Sequence, residues 1–302
     1  MNGPFPTPDI ETADALVSEL VEAVSILEAV KKSPADTITA LNSLRETKVL
    51  FGNPRSNLVA ITADQLHGSG IELSSIQRQQ LEGQFDFYFM TITVNMRPRP
   101  GARFSALATE LNFGPKGEDE PIVQAIFPQT SWKNVLSFGG GMNLGLDANL
   151  NWKVGVDTSR LSQLIEKAPE LQANLENKNE MKSFIVLRDF AYDLGRFDIA
   201  AYGEDNSECY WYIQNSDLQQ TLTVRFSTVF KVPTGTEEIT LQGLAWAEPS
   251  MNWLTGQISN VAGLLSEKLQ GLLHVGRWDR SARELARGAQ ESWTLKLPRP
   301  AS

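Results

Sequence analysis

Two histidines, His67 and His274, and one cysteine, Cys209, are the whole stock of imidazole and thiol in this 302-residue chain. A zinc-type site gathers three or four such ligands, and these three stand far apart in the sequence. A Cys–His nucleophile pair is arithmetically open. However, Cys209 sits in CYWYIQ, which reads as a strand with the cysteine turned inward, where a thiol serves as a small hydrophobe. Gly139, Gly140, Gly141 and Gly145 have the density of a phosphate loop but not its pattern. Leu144 stands where a dinucleotide loop needs its third glycine, no Lys-Ser/Thr follows, and strand-like rather than helix-like residues come next, so a bulge or tight bend is expected. Glu118, Asp119 and Glu120 lack the alternating ligand spacing of a calcium loop and read as a solvated charge run. Trp152, Trp211 and Trp246 lie in strand-like runs, where indoles fill cores and cross-strand pairs. No catalytic, cofactor or metal constellation emerges, and the expectation is a non-enzyme without a cofactor.

The charge balance narrows the partners. The chain carries a formal charge of −9, which repels phosphate backbones and argues against nucleic acid. Two local basic groups run against that trend. Arg97, Arg99 and Arg103 in MRPRPGAR read as a charged hairpin tip, and Arg277, Arg280, Arg283 and Arg287, interrupted by Asp279 and Glu284, read as an ion-paired helix face. One cysteine, an N-terminal stretch unlike a secretory leader and no run of about 18 apolar residues lead to the expectation of a cytoplasmic protein without a transmembrane helix.

The most regular pattern is MNLGLDANLNWKVGVD, residues 142–156 and Asp157. Met142, Leu144, Leu146, Leu150, Trp152, Val154 and Val156 alternate with polar residues or glycine, so a strand here has one dry face. As one strand it would run roughly 50 Å at about 3.3 Å per residue, longer than a membrane-spanning strand needs. Asp147-Ala148-Asn149 is turn chemistry that would split it in two. The dry face therefore packs on the protein's own core, inserts into lipid, or holds a partner. Leu218 to Val232 alternates in the same way, and with Ile239 to Ala247 it reads as the clearest hairpin of the sequence, turned by Pro233-Thr234-Gly235-Thr236. At the C-terminal side Leu254, Ile258, Val261, Leu265, Leu269 and Leu272 form one helical apolar stripe, a second face for burial against the sheet or a partner.

The elements that must position these residues follow from the period of the apolar pattern. Val17, Leu20, Val21, Val24 and Leu27, then Ile38, Leu41 and Leu44, predict a helical hairpin over residues 8–46, capped at Thr7 with Pro8 first in the helix. After Gly83 the period becomes 2, with strands from Met90, from Phe104, over Ile122–Phe127 and over Val135–Phe138. Helical spacing returns near 159–181, strands resume from Phe184, and a last short helix is expected over Arg280–Gln290. The fold class is α+β: a largely antiparallel, β-sandwich-like body with an N-terminal helical hairpin and C-terminal amphipathic helices. Residues 1–82 form the N-terminal helical region, 83–250 the β-rich body with the inserted helical segment, and 251–302 the C-terminal helical region and tail. The function expected first is non-enzymatic interaction or assembly, with docking of a protein partner or another copy of the chain. The alternative is a membrane-active, pore-forming protein that inserts 142–156 and 218–232, and an acid–base hydrolase without a recognisable motif stands third.

Overall fold

Helix α1 (Ile10–Lys31) begins on Asp9, whose carboxylate accepts from the Thr12 amide at 3.1 Å and the Thr12 hydroxyl at 2.9 Å. The Thr12 amide bond holds the Asp9 carboxyl below its ordinary value. Thr7, the expected cap, instead turns its hydroxyl to Glu110 at 3.4 Å. Helix α2 (Asp36–Glu46) packs back on α1, and Val17, Leu20, Val24, Leu41 and Leu44 are buried between this pair and the sheets. The computed structural model describes residues 6–31, 36–61, 83–127, 145–146, 152–153, 198–214, 218 and 223–299.

Twelve strands follow in chain order among these residues: β1 (Lys48–Phe51), β2 (Leu58–Ile61), β3 (Phe85–Arg97), β4 (Phe104–Gly114), β5 (Ile122–Phe127), β6 (Gly145–Leu146), β7 (Trp152–Lys153), β8 (Asp198–Tyr202), β9 (Glu208–Gln214), β10 (Thr223–Pro233), β11 (Glu238–Pro249) and β12 (Arg287–Lys296). Between β11 and β12 come the helices α3 (Met251–Ile258), α4 (Glu267–Leu272) and α5 (Trp278–Glu284). One sheet has the order β1-β3-β10-β5, with β2 also paired to β3; the other runs β12-β11-β4-β9-β8, and every pairing is antiparallel. Their inner faces share one core, in which Met90, Ile92, Phe226 and Phe230 of the first sheet meet Leu111, Phe113, Trp211 and Leu241 of the second. Phe113 packs tilted against Phe230 with centroids 5.0 Å apart, and Trp211 likewise against Phe226 at 5.0 Å. The body is thus the expected α+β sandwich with helical flanks.

Strand positions agree with the sequence pattern better than strand partners do. The runs ending at Val232 and beginning at Ile239 do not form a hairpin: β10 pairs with β3 and β5, whereas β11 pairs with β4 and β12 in the other sheet. MRPRPGAR likewise is no hairpin tip, because it carries the chain from β3 in one sheet to β4 in the other. Two strands that turn their apolar faces to one shared core show the same alternation whether or not they bond to each other. Strand β10 starts at Thr223, and residues 219–222 of the longer run lie outside the described residues. Its middle is covered on both faces: Phe226 and Phe230 point to the core, and Ser227 and Val229 on the opposite side are buried as well. There the Ser227 and Thr91 hydroxyls meet across the strands at 2.8 Å.

Strands β1 and β2 extend the first sheet from within the N-terminal region, and β12 extends the second from within the C-terminal region. Residues 287–290, expected in a helix, begin β12; α5 ends at Glu284 because the next apolar partners lie along β11. The long C-terminal helix is broken around Gly263, yet Leu254, Ile258, Val261, Leu265, Leu269 and Leu272 all remain in the core. The two sheets are tied at both flanks. On one, Phe51 of β1 meets Trp293 of β12 edge to face at 5.3 Å, and both rings lie over Gly243, where a Cβ would come within 2.8 Å of the indole. On the other, Val123 of β5 exchanges backbone bonds with the β8–β9 turn, accepting from Asp205 at 2.8 Å and donating to Asn206 at 2.8 Å.

Candidate binding cleft

The residues singled out by type are placed as follows. Cys209 is buried in the core, and burial pushes its thiol well above the ordinary value, so it is not a nucleophile in the folded chain. His274 is exposed and accepts from the Gly276 amide at 3.3 Å; His67 and Gly139–Gly141 lie outside the described residues. In the acidic loop Glu120 pairs with Lys116 at 3.4 Å, and bonds from Ser207 and Lys116 hold its carboxyl below the usual range. Among the described residues no group of three or more His, Cys, Asp or Glu is placed to hold a metal ion. Trp211 fills the core, and Trp246 is fully buried on the outer side of the second sheet. Of the C-terminal arginines, Arg280 makes the helix ion pair expected, with Glu284 at 2.7 Å; Arg283 Nε instead donates to the Asp279 carbonyl at 2.9 Å, and Arg287, in β12 rather than on the helix, pairs with Asp14.

The run from Met142 is not one strand. Its two described pieces, β6 and β7, pair antiparallel, with Leu146 opposite Trp152 and Gly145 opposite Lys153. Asp147, Ala148 and Asn149, where turn chemistry was expected to split the run, lie outside the described residues. Met142, Leu144, Leu150, Val154 and Val156 lie outside the described residues. The C-terminal stripe from Leu254 to Leu272 is no exposed face, because its side chains are spent on the protein's own core. No helix among the described residues is long and apolar enough to cross a membrane.

A buried polar group sits on the outer face of the second sheet. Glu248, 3 % exposed, accepts from the Trp246 indole N–H at 3.2 Å and the Tyr212 hydroxyl at 2.9 Å. Trp246 and Glu248 share a strand face at i and i+2, so the indole reaches the carboxylate without leaving β11. Burial raises the Glu248 carboxyl above its ordinary value, and the two bonds and Arg283 oppose the shift. Tyr210 and Tyr212 are also pushed up, by burial first. Closed to water, this group is a fastening rather than a docking site.

A recess with room for a ligand lies, among the described residues, at the end of the sandwich where the chain crosses from β3 to β4. It is open to solvent and has a volume of about 700 Å³. Helix α2 contributes Thr39 and Ala40, the crossing turn contributes Pro100, Gly101 and Arg103, the cap and first turn of α3 contribute Ser250, Asn252 and Trp253, and its last turn contributes Gln257. Each wall is pinned to its neighbour. The Ser43 hydroxyl donates to the Pro100 carbonyl at 2.9 Å, the Ser250 amide to the Arg103 carbonyl at 2.9 Å, and the Thr37 hydroxyl to the Gln257 carbonyl at 3.0 Å. Gly101, at φ +92°, takes the left-handed conformation the turn requires. The cleft is therefore preformed. Among the described residues Arg103 is its only charged lining residue, and no carboxylate lines it. Nearby Arg99 is neutralised by Glu46 at 3.3 Å, but among the described residues no carboxylate meets Arg103. Hydroxyl and amide side chains supply the remaining polar lining, and the half-buried Trp253 supplies an apolar wall. The sequence marked Arg103 only as part of a basic cluster, and no spacing joined it to Trp253.

No known protein family matches the chain, and no curated protein matches it. Among solved structures, it is similar to a pore-forming protein at 5 % identity and a TM-score of 0.29, over 67 % of this chain and 78 % of that one. Clostridium perfringens delta-toxin aligns at 8 % identity and a TM-score of 0.32, over 67 % of this chain and 78 % of the toxin. A cohesin module from a Clostridium perfringens family 33 glycoside hydrolase aligns at 6 % identity and a TM-score of 0.28, over 80 % and 95 %. None of these three reaches a TM-score of 0.5.

Proposed function

We propose that the chain is a non-enzymatic interaction protein, a β-sandwich that docks a partner group in the cleft between α2, the 98–103 turn and α3. The observation that carries this reading is the chemistry of the lining. A guanidinium stays protonated at any physiological pH, and neutral hydroxyl, amide and indole groups move no proton without a base beside them. The lining can hold and orient a ligand, and among the described residues it offers no group to turn one over. The preformed walls support the same reading, because a site already in its bound shape loses little ordering entropy on docking.

The test uses a panel of small compounds representing partner groups: carboxylates, phosphate esters, sugars, quaternary ammonium salts and short peptides. Asn252→Trp fills the cleft from an exposed position. At least one class is expected to raise the melting temperature of the natural protein and to leave the filled variant unmoved, with the compound unchanged by NMR after prolonged incubation. The reading fails if no class shifts the natural protein, if the shifts persist in the filled variant, or if a compound is converted.

A further inference from the structure

Resting on that docking role, we infer that the group the cleft takes is an organic phosphate: a phosphate oxyanion held by Arg103, carried on a body that covers Trp253. In a chain of net charge −9, a recess lined among the described residues by one arginine and no carboxylate runs against the overall charge. It selects an anion. The planar guanidinium fork matches the oxygens of phosphate or carboxylate in pairs. What favours phosphate is the neutral lining around it. Ser250, Asn252 and Gln257 can each donate a hydrogen bond, and they come from both ends of α3's first two turns. A tetrahedral oxyanion has three or four oxygens to share among such donors, and a carboxylate has two. The volume of about 700 Å³ is far more than one inorganic phosphate fills, so the rest of the ligand occupies the space beside the indole. That body is neutral or apolar, because Trp253 offers it a flat aromatic face and no charge.

Arg103 is exposed, and among the described residues its side chain makes no hydrogen bond or ion pair, so its replacement is expected to leave the fold intact. Binding of glycerol 3-phosphate, inorganic phosphate, acetate and glycerol is measured by calorimetry on the full chain and on Arg103→Ala and Arg103→Lys, with melting temperatures as the folding control. Glycerol 3-phosphate is expected to bind the natural protein more tightly than inorganic phosphate, and acetate and glycerol far more weakly. Arg103→Ala is expected to weaken glycerol 3-phosphate by about ten- to a hundredfold, the worth of a charged hydrogen-bond pair, with an unchanged melting temperature. Arg103→Lys keeps the charge without the fork and is expected to recover only part of the loss. Sedimentation with phosphatidylcholine vesicles, with and without phosphatidic acid, identifies the source. Arg103-dependent binding only to phosphatidic acid places the phosphate on a lipid; soluble esters alone place it on a small molecule; either outcome supports the inference. Equal binding of phosphate by Arg103→Ala, or acetate or glycerol binding as tightly as glycerol 3-phosphate, overturns it. If carboxylates or sugars bind in a manner blocked by Asn252→Trp while phosphates do not, the phosphate assignment falls and the docking cleft stands. If nothing is blocked by Asn252→Trp, both fall.

Discussion

Replacing Glu248 by methionine is expected to loosen the second sheet, and the structure bounds the amount. The substitution keeps the volume but strands the Trp246 indole N–H, bonded at 3.2 Å, and takes one acceptor, at 2.9 Å, from the Tyr212 hydroxyl, which also bonds Gln214. A buried donor left without an acceptor costs about 1–3 kcal/mol. Trp246 is fully buried and bears its share in full, whereas half-buried Tyr212 can recover part of its own from water. Relief from burying a carboxyl offsets some of the loss. The net is about 2 kcal/mol at pH 7, or a fall in melting temperature of about 3–6 °C in a chain of this size. The assay is a double-mutant cycle read by thermal and urea unfolding. Tyr212→Phe removes one of the two donors that Glu248 accepts from, so the double variant is expected to be about 1 kcal/mol more stable than the two single losses added together. Additive losses would refute the bond network. The pH dependence gives an independent check. Below the ordinary glutamate value of 4.5 both folded and unfolded chains hold the proton, and the stabilisation from this group is fully present. As pH rises, the unfolded chain ionises first, and the stabilisation is lost as pH passes through the raised folded value. The natural protein should therefore lose stability relative to Glu248→Gln as pH climbs from 4 to 8. A constant difference across that range would mean the carboxyl is not held above its ordinary value.

Other positions yield sharper yes-or-no outcomes. Gly243→Val must displace the Trp293 and Phe51 rings, which lie 2.8 and 3.0 Å from any Cβ built there, and overpacking of that kind costs about 1–3 kcal/mol in unfolding experiments. Leu265→Asp puts an unpaired charge at a core position only 5 % exposed, and a loss of several kcal/mol in the same assay is expected. Cys209, buried and with its thiol pushed well up, should react with a thiol reagent at pH 8 only at the rate of unfolding; fast labelling of the folded chain would show that the β9 face is open.

Local pattern in the sequence located most strands and their dry faces, because alternation of apolar side chains is a property of each strand by itself. Val224, Phe226, Phe230 and Val232 are buried as their spacing requires. Partners were not legible. Val224 pairs with Val94 and Phe226 with Ile92, far away in the chain, and nothing within β10 encodes that register. Short or thinly patterned strands were missed for a related reason. Strands β1 and β2 have four residues each, and in β12 only Leu295 is fully buried, so neither gives a period to detect. The helical stripe of 254–272 was visible although the helix breaks, since the apolar spacing survives a change of backbone. The cleft was the least legible feature. Its residues come from three separate segments, and only Arg103 stood out, by charge, among them.

The location of the cleft follows from the topology that hid it. A strand that ends in one sheet and continues in the other must cross the thickness of the sandwich, about 10 Å, through residues that join neither ladder. The crossing at 98–103 does so with Pro98, Pro100 and Gly101, which cannot or need not take strand geometry. Its backbone groups then need other partners, and it finds them outside the sheets, in the Ser43 hydroxyl of α2 and the Ser250 amide beside α3. Those bonds draw two helices around a turn that is too short to fill the space between them. The recess is what remains, and Arg103, the residue that re-enters the second sheet just before Phe104, is held at its edge by its own carbonyl. A core substitution that left the sheets intact but freed α2, such as Leu41→Ala, should therefore open the cleft and weaken ligand binding more than it lowers the melting temperature of the sheets, measured by calorimetry beside near-ultraviolet circular dichroism. If binding and global stability fell strictly together, the walls would not be separable from the body, and the account of the cleft as a product of the crossing turn and its two borrowed helices would be wrong.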